Sequence, residues 1–337
     1  MVAKMKDVAE RAGVSPTTVS LVLNNPRLHS IPPKTRRRVL DAARALRYEP
    51  NIHARRLASR ESNAVGIVIS EISNPFFADI INAFEKAASE RGLDQILYNT
   101  EYAPPRMEAA VRRMIVEKVR GVAIMTSTFD EEYVKELAHN RVYVVLLNPG
   151  PCYPRVRRIQ IDYSSGVNHA IDHLLKLGHR TFAVISGPSR SHAAGSIRKT
   201  FMEMLAKKGV QCCHAVESDY RADAGASAVR SILSHPPLPT AVLCGNDLIA
   251  LGAISAFQEA GVRVPEDVSV IGADDVFFAA LARPPLTTVA VPREKLGRVA
   301  LEVLEAMRRS RQQTPAVTTL ETELIIRKST APPPGKI

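Results

Sequence analysis

From residue 64 onward, short apolar runs rich in Val and Ile alternate with amphipathic helical stretches. Near-continuous apolar strands joined by helices are typical of parallel sheets that are covered on both faces. Because the alternation occurs twice, over 64–162 and again over 181–291, it predicts two doubly wound α/β subdomains with a cleft between them. The predicted strands are 64–70, 94–99, 121–127, 142–148, 157–162, 181–187, 240–246 and 268–275.

The composition is that of an ordinary globular chain, since 45% of the 337 residues are hydrophobic and 23% are charged. No apolar run approaches the roughly 18 residues that cross a bilayer. The opening MVAKMKDVAE has no apolar signal-peptide core. We therefore expect a cytoplasmic protein that has no membrane partner.

Catalytic and metal-binding motifs are missing from the sequence. Its four cysteines, at positions 152, 212, 213 and 244, show no metal-ligand spacing. There is no P-loop, no G-x-G-x-x-G turn, no G-x-S-x-G elbow and no H-E-x-x-H helix. Asp274 and Asp275 are adjacent at a strand end, so their side chains should diverge, which is poor geometry for paired acid–base work. We expect neither an enzyme nor a bound metal or cofactor.

The positive charge is concentrated at the N-terminus. Residues 1–60 contain 13 Lys and Arg against 4 Asp and Glu, a net charge of +9. The whole chain carries +11, so the remaining residues contribute only +2. A basic segment ahead of a nearly neutral body indicates a polyanionic partner.

Three short helical patterns surround a Gly turn in this basic segment. The predicted helices cover 7–12, 16–24 and 33–48. Gly13 can adopt a positive φ and end the first helix. Ser15 is an N-cap residue with Pro16 at the first helical position, which is a start signal for the second helix. Three such helices predict a helix-turn-helix domain.

The two faces of the second helix differ in character. The positions predicted to point inward in the second and third helices are Val19, Val22, Leu23, Val39, Leu40, Ala43 and Leu46. The outward positions of the second helix are Pro16, Thr17, Thr18, Ser20 and Leu21. A recognition helix meets base edges at this end, while hydroxyl groups and helix N-termini hold phosphates. The alternative is a polar surface helix in some other helical domain.

Four longer segments resemble one known family. They are KDVAERAGVSPTTVSLVLNN, YEPNIHARRLASRESNAVGIVIS, NPFFADIINAFEKAASERG and TAVLCGNDLIALGAISAFQEAGVRVPEDVSVIGADD. In order and character they resemble the LacI/GalR family of bacterial transcription regulators over nearly the whole chain.

The resemblance implies an α/β fold, with an N-terminal helix-turn-helix domain and two doubly wound subdomains of periplasmic-binding-protein-like architecture. The implied domains are 1–49 for DNA binding, 50–61 for a hinge helix, and 62–330 for an effector-binding and dimerisation core. Within this core, 62–162 with 293–328 would form one subdomain and 163–291 the other. The tail, 331–337, should be disordered.

The implied function is that of a sequence-specific DNA-binding repressor whose operator affinity is controlled by a small-molecule effector. The alternative is a family-type regulator that has no effector or is controlled by a protein partner. The expected partners are double-stranded DNA with a pseudo-palindromic operator, the effector, and a second copy of the chain in a homodimer or tetramer. Such a protein would work at the nucleoid in the cytoplasm.

The residues expected to contact DNA lie in the head and in the hinge. They are Lys6, Ser15, Pro16, Thr17, Thr18, Ser20, Leu21, Asn24, Asn51, Arg55 and Leu57. In the family that the hinge resembles, the residue matching Leu57 is a wedge between base steps. The alternative is a helical spacer whose Leu57 packs on its own core.

The residues expected to contact the effector follow the carboxyl ends of the predicted strands, where ligands bind in such sheets. They are Phe76, Phe77, Asn148, Arg190, Arg198, Tyr220, Asn246 and Asp274. An aromatic wall with amides and a carboxylate suits a small polar ligand, and we expect a sugar or sugar derivative. Two alternatives stay open, because Asn246 and Asp247 are also helix-capping residues and Phe76 is also a core residue type.

The sequence departs from the family pattern at the arginine that clasps the effector in many members. The segment IRKTF places Ile197 at that position and Arg198 one residue later. A cluster of Arg190, His192 and Arg198 would favour an acidic or phosphorylated effector. The alternative is that Arg198 points to solvent and Arg190 pairs across the mouth of the cleft.

Overall fold

The computed structural model of the protein describes residues 3–24, 31–48, 62–126, 130–147, 156–189, 191–309 and 316–335. Its contacts divide the chain into two compact units, Met1–Ser62 and Asn63–Ile337. We call the first unit the head and the second unit the body.

The described part of the head forms three helices around a small apolar core. They are α1 (Met5–Ala12), α2 (Pro16–Asn24) and α3 (Pro33–Ala45). Gly13 ends α1 with a φ of 62°, in the left-handed region that glycine tolerates, as predicted. The Arg38 guanidinium donates hydrogen bonds to the carbonyl oxygens of Ala12 at 2.6 Å and Gly13 at 3.1 Å. These bonds fix α3 against the turn that separates α1 from α2.

The hydrophobic core of the head differs from the prediction at Leu40. Val19 and Val39 are fully buried, but the Leu40 side chain is 37% exposed and Ala42 is buried instead. The buried positions of α3 follow the helical spacing from Val39 to Ala42 and Ala43, which leaves Leu40 outside that stripe.

The body contains two six-stranded sheets in its described residues. The first consists of β1 (Ala64–Ile69), β2 (Asp94–Asn99), β3 (Gly121–Met125), β4 (Tyr143–Leu146), β5 (Val156–Asp162) and β11 (Val317–Glu321). The second consists of β6 (Thr181–Ser186), β7 (Gln211–Glu217), β8 (Ala241–Cys244), β9 (Ser269–Asp274), β10 (Thr287–Ala290) and β12 (Glu323–Ile325). Their orders are β11-β5-β4-β3-β1-β2 and β12-β10-β9-β8-β6-β7, so both sheets are doubly wound, as the sequence predicted.

Helices cover the faces of both sheets. They are α4 (Phe76–Ser89), α5 (Pro104–Val116), α6 (Glu131–His139), α7 (Ser164–Leu177), α8 (His192–Lys207), α9 (Ala222–Leu233), α10 (Asp247–Glu259), α11 (Phe277–Leu281) and α12 (Arg293–Arg309). Because both faces are covered, strands such as β1 and β9 are buried at every residue. No helix in the described ranges is long and apolar enough to cross a bilayer.

Fewer residues of the last segment of the chain belong to the first sheet than the family resemblance implied. Strand β11 pairs with β5 in the first sheet, in parallel, as the family resemblance implied. Strand β12, which was expected in the same subdomain, instead pairs antiparallel with β10 of the second sheet. Between the two strands, the Thr322 hydroxyl donates to the Asp162 carbonyl oxygen at 2.9 Å. The return to the first sheet therefore ends at Glu321 and does not continue to residue 328.

The tail from residue 331 was predicted to be disordered, but Ala331 forms hydrogen bonds to the second sheet. The Ala331 amide donates to the Ser269 hydroxyl at 3.0 Å, and the Ala331 carbonyl accepts a hydrogen bond from His179 Nε2 at 2.8 Å. His179 is buried, so this contact anchors the chain end to the base of the second sheet. Residues 336–337 lie outside the described residues.

Two glycines allow α9 and α10 to pack with their backbones in contact. A Cβ atom at Gly252 would overlap the carbonyl oxygen of Ala222, and one at Gly225 would overlap that of Ile249. Neither neighbour can move easily, because both are backbone atoms within helices.

We predict that Gly252→Ala lowers the free energy of unfolding by about 1–3 kcal/mol, because the added methyl group overpacks the helix contact. Gly195→Ala is the matched control, since Gly195 also lies in a helix but nothing is within 4 Å of its added Cβ. That substitution should stabilise the protein by about 0.5–1 kcal/mol. Urea unfolding of both variants measures the difference, and equal effects of the two substitutions would contradict the packing explanation.

Candidate functional site

A cavity lies where the carboxyl ends of strands from both sheets face each other. It encloses about 720 Å³ of space, its open mouth included. The first sheet and its connections contribute Ser70, Asn74, Phe76, Phe77, Tyr102, Met125, Thr126, Leu147, Ile161 and Tyr163. The second contributes Ser191, Ala193, Ser196, Ile197, Tyr220, Gly245, Asn246 and Asp274. The cavity therefore occupies the cleft that the sequence predicted.

The aromatic wall on the first side is the start of α4. Phe76 and Phe77 pack edge to face, with ring centroids 5.3 Å apart and an interplanar angle of 79°. The Asn74 side-chain oxygen accepts a hydrogen bond from the Phe76 amide at 3.0 Å, which fixes the entry into the helix. Phe76 belongs to the hydrophobic core cluster and also lines the cavity. It is therefore both a core residue and a residue of the cavity wall.

Tyr220 forms the opposing aromatic surface. A Cβ atom at Gly187 would lie 2.5 Å from the Tyr220 ring, so only glycine leaves the space that the ring occupies. The Tyr220 hydroxyl lies 3.3 Å from the Ser191 hydroxyl, and Ser191 in turn accepts from the Ala194 amide and caps α8. Burial raises the pKa of Tyr220, so the phenol stays protonated and can donate a hydrogen bond.

Asn246 has a structural role and also lines the cavity. Its side-chain oxygen accepts a hydrogen bond from the Ile249 amide at 2.8 Å and caps α10. The capping alternative is therefore confirmed for this residue. Because the cap uses the oxygen, the amide NH₂ is the end of the side chain that can donate to a ligand.

Asp247 is structural. It is completely buried, and its two oxygens accept from the Val276 amide at 2.8 Å and from the Thr288 hydroxyl at 2.6 Å. Burial raises its pKa to about 7. These bonds hold the start of α10 to Val276, which follows β9, and to Thr288 of β10.

Asp274 ends β9 and lines the cavity, where its carboxyl group interacts electrostatically with the phenols of Tyr163 and Tyr220. Burial raises its pKa well above the ordinary value, the nearby Asp247 raises it further, and Arg293 lowers it. Asp275 points elsewhere, since its carboxylate forms an ion pair with Arg327 at 2.6 Å. The two adjacent carboxyl groups thus diverge, as expected.

The structure corrects the prediction for Arg198. Ile197 lines the cavity, whereas Arg198 is absent from the described wall and interacts electrostatically with Cys212. The Arg198 side chain is half-buried, whereas Ser196 and Ile197, the two residues before it in α8, both line the cavity. Asn148 and Arg190 lie outside the described residues, as does the side chain of His192.

Tyr102, Thr126 and Tyr163 line the cavity but were not predicted from the sequence. Tyr163 follows directly after β5, so the rule that ligands bind at the carboxyl ends of strands could have identified it from the sequence. Burial raises its pKa well above the ordinary value, which keeps this phenol protonated as well. Among the wall residues that the structure describes, Asp274 is the only one with an ionisable carboxyl or basic group.

On the head, the described residues of the predicted DNA surface are arranged around the start of α2. The Ser15 hydroxyl accepts from the Thr18 amide at 3.2 Å, which confirms the predicted N-cap. Lys6, Pro16, Thr17 and Leu21 are exposed, whereas Thr18 and Ser20 are half-buried. Asn51, Arg55 and Leu57 lie outside the described residues, and so does the side chain of Asn24.

Metal binding finds no support in the described ranges. They contain no group of three or more His, Cys, Asp or Glu residues placed to hold a metal ion.

Comparison with known proteins matches both units of the chain. Residues 4–51 match the bacterial regulatory proteins, lacI family, and residues 171–330 match the periplasmic binding protein-like domain. The chain is 33% identical over 330 residues to the HTH-type transcriptional repressor PurR of Photobacterium profundum, covering 97% of this chain and 98% of that protein. It is also 33% identical to catabolite control protein A of Priestia megaterium, covering 96% of this chain and 98% of that protein.

Two solved structures resemble the whole chain. The lac repressor dimer bound to operator and the anti-inducer ONPF gives a TM-score of 0.90 at 28% identity, covering 98% of this chain and 100% of that one. The complex of the transcriptional regulator CelR with cellobiose gives a TM-score of 0.73 at 30% identity, covering 97% and 99%.

A helix-turn-helix head joined to a two-sheet body with a cavity between the sheets defines a ligand-regulated, DNA-binding transcriptional regulator. Within that class, the chain belongs to the LacI family. The relatives named above are transcriptional regulators and not enzymes.

The double role of Asn246 can be separated by substitution. Asn246→Ala should lower the free energy of unfolding by about 1 kcal/mol, because it removes the N-cap of α10. Asn246→Ser should keep nearly all of the stability, since serine is also a good N-cap, although it removes the amide NH₂ from the cavity. Thermal unfolding of the two variants tests this assignment, which fails if serine is as destabilising as alanine.

Proposed function

We propose that this regulator is a repressor whose operator affinity changes when a neutral sugar or sugar derivative binds in the cavity. The observation that carries the proposal is the chemistry of the wall. Aromatic rings from both sides surround one carboxyl group, two side-chain amides and several hydroxyl groups. Sugars present apolar C–H faces to aromatic rings and hydroxyl groups to such polar side chains.

A neutral ligand is favoured over an acidic or phosphorylated one. Arg198, one of the residues expected to hold an anion, is absent from the described wall. The wall residues that the structure describes include no Lys, Arg or His, so an anion would find no basic side chain among them. The likeness to the CelR–cellobiose complex also supports a sugar, since the two chains are 30% identical over nearly their full length.

The cavity can control DNA binding only through a difference in ligand affinity between two arrangements of the body. Such coupling is typically about 1–3 kcal/mol, or 5–150-fold in operator affinity. The DNA partner is a pseudo-palindromic operator, because each copy in a two-fold symmetric dimer reads one half-site. The protein acts on DNA of the nucleoid in the cytoplasm, and it binds its ligand without chemical change.

A thermal-shift panel tests the ligand class. It contains cellobiose and other neutral sugars, the corresponding sugar phosphates, polyols and purine bases. We expect a neutral sugar to raise the Tm, because a ligand at 100 times its Kd adds about 2.7 kcal/mol to the stability of the folded state. Asp274→Asn should abolish this response and leave operator binding intact. A response to purines or sugar phosphates alone would refute the neutral sugar, and no response would favour a regulator without a small-molecule effector.

We also expect a homodimer, and an exposed apolar face on the second sheet supports it. Phe277, Phe278 and Leu281 of the short helix α11 are 73%, 51% and 57% exposed. The two phenylalanine rings are in contact, with centroids 5.8 Å apart. Exposed apolar side chains that form one patch are typical of a protein–protein contact. The lac repressor structure that this chain resembles is a dimer.

Phe277→Asp combined with Leu281→Asp should convert the dimer into monomers, because each buried apolar side chain contributes about 1.5–3 kcal/mol. Leu238→Asp is the control, since Leu238 is 50% exposed but precedes β8, at the opposite end of the sheet. Sedimentation velocity measures the oligomeric state. A dimer that survives the double substitution would place the interface elsewhere.

A further inference from the structure

Arg293, the first residue of α12, joins the second sheet to a helix of the first. Its Nε and Nη2 atoms donate to Asp79 Oδ2 of α4 at 3.0 and 2.8 Å. Its Nη1 atom donates to the carbonyl oxygen of Asp274, and Nη2 also donates to that of Asp275 at 2.7 Å. The side chain is only 10% exposed, so these charge-assisted bonds are shielded from water.

The backbone that Arg293 holds is strained. Asp274 has a φ of 113° and Asp275 a φ of 58°, and residues other than glycine rarely adopt such values. Conformations of this kind persist only when surrounding contacts hold them. In this turn the Asp274 carboxyl group faces the cavity while the Asp275 carboxylate reaches Arg327. The bonds from Arg293 to both carbonyl oxygens therefore maintain the turn that aims Asp274 into the cavity.

We call the hydrogen bonds of Arg293 to Asp79 and to the Asp274 turn the Arg293 bridge. Its end at Asp79 lies close to the aromatic wall. Asp79 is in the first turn of α4, the helix that begins with Phe76 and Phe77. Both phenylalanines line the cavity. One guanidinium group thus connects the backbone turn at Asp274, on one side of the cavity, with the helix that carries the rings on the other side.

We infer that Arg293 is a positioning residue that aims Asp274 into the cavity and transmits a displacement of the Asp274 turn to α4 of the first sheet. This inference deepens the proposed function, because it names the contact through which a sugar bound at Asp274 acts on the first sheet. A planar guanidinium suits the task, since its fixed fork can reach one carboxylate and two carbonyl groups together.

Hydrogen–deuterium exchange of the full-length protein without sugar tests the bridge directly. The variants are Asp79→Ala, which removes the far end, and Arg293→Met, which keeps the length of the side chain and removes its charge. Their controls on the same helices are Glu85→Ala and Arg298→Met, both at exposed positions. Asp79 accepts hydrogen bonds from Arg293, which in turn donates to the Asp274 turn, so Asp79→Ala tests whether loss of the far contact of Arg293 alters residues 272–278.

We expect Asp79→Ala and Arg293→Met each to speed amide exchange in residues 272–278 about tenfold, because charge-assisted hydrogen bonds are lost. The controls should leave that exchange unchanged. The inference is overturned if Asp79→Ala affects α4 alone, or if Arg293→Met exchanges like the parent protein. Should Arg293→Met fail to fold, the half-exposed Asp79 still provides the decisive variant.

A second measurement concerns regulation. It uses the neutral sugar that gives the largest thermal shift in the panel above, and the duplex recovered by binding-site selection. Asp79→Ala should still bind the sugar in isothermal titration but lose most of the sugar-induced change in operator affinity. A full change in that variant would overturn the inference. If no sugar in the panel binds the parent protein, the proposed ligand class fails, and the exchange result still decides whether Arg293 positions the turn.

Discussion

Parallel pairing of buried strands is the constraint on which the rest of the body depends. A parallel ladder places the carboxyl ends of all its strands at one edge, and the crossover helices that it requires cover both faces. With two such sheets in one compact unit, the side chains at both carboxyl edges can meet around a shared space. The cavity is therefore a consequence of the topology, and its chemistry is decided by the few residues that happen to follow each strand.

Several of those residues hold the backbone in place and also face the cavity. Asn246 caps α10 through its oxygen, and Ser191 caps α8 while its hydroxyl lies near the Tyr220 phenol. Asn74 fixes the start of α4 in the same way. A side chain that is tied to a helix terminus loses little further freedom when a ligand arrives, which favours affinity and specificity. The same ties mean that substitutions here affect stability and ligand binding together.

Electrostatics in this region depend on burial more than on the number of charges. Both carboxyl oxygens of Asp247 accept hydrogen bonds, one from the Val276 amide and one from the Thr288 hydroxyl. The nearby Asp274 instead lines the cavity. Burial raises the pKa of both carboxyl groups, and Arg293 opposes that effect at Asp274. The side chain that stabilises the charged form of Asp274 is also the one that bonds to Asp79 on the first sheet. Charge balance at the cavity and the connection between the sheets therefore share one residue.

The local patterns of the sequence were sufficient for the class of fold and for most of its elements. The apolar run at 94–99 became β2 with the predicted bounds, and the Ser15-Pro16 start signal began α2 where expected. The strand-end rule also located Phe76, Tyr220, Asn246 and Asp274 at one cavity. These inferences succeed because hydrophobic periodicity and capping are set by residues that are neighbours in the chain.

Only the tertiary structure decided the features that depend on distant partners. An edge strand such as β12 has no local signal for the sheet that it joins, and the tail after residue 330 is held by His179 and Ser269 from other strands. Likewise, Ile197 rather than Arg198 faces the cavity because of how α8 packs, and the bond from Arg293 to Asp79 joins residues 214 positions apart. Sequence alone determined which segments are strands and helices and which polar residues follow them. Which of those side chains meet was decided by packing, because the contacts are between residues that the chain order does not bring together.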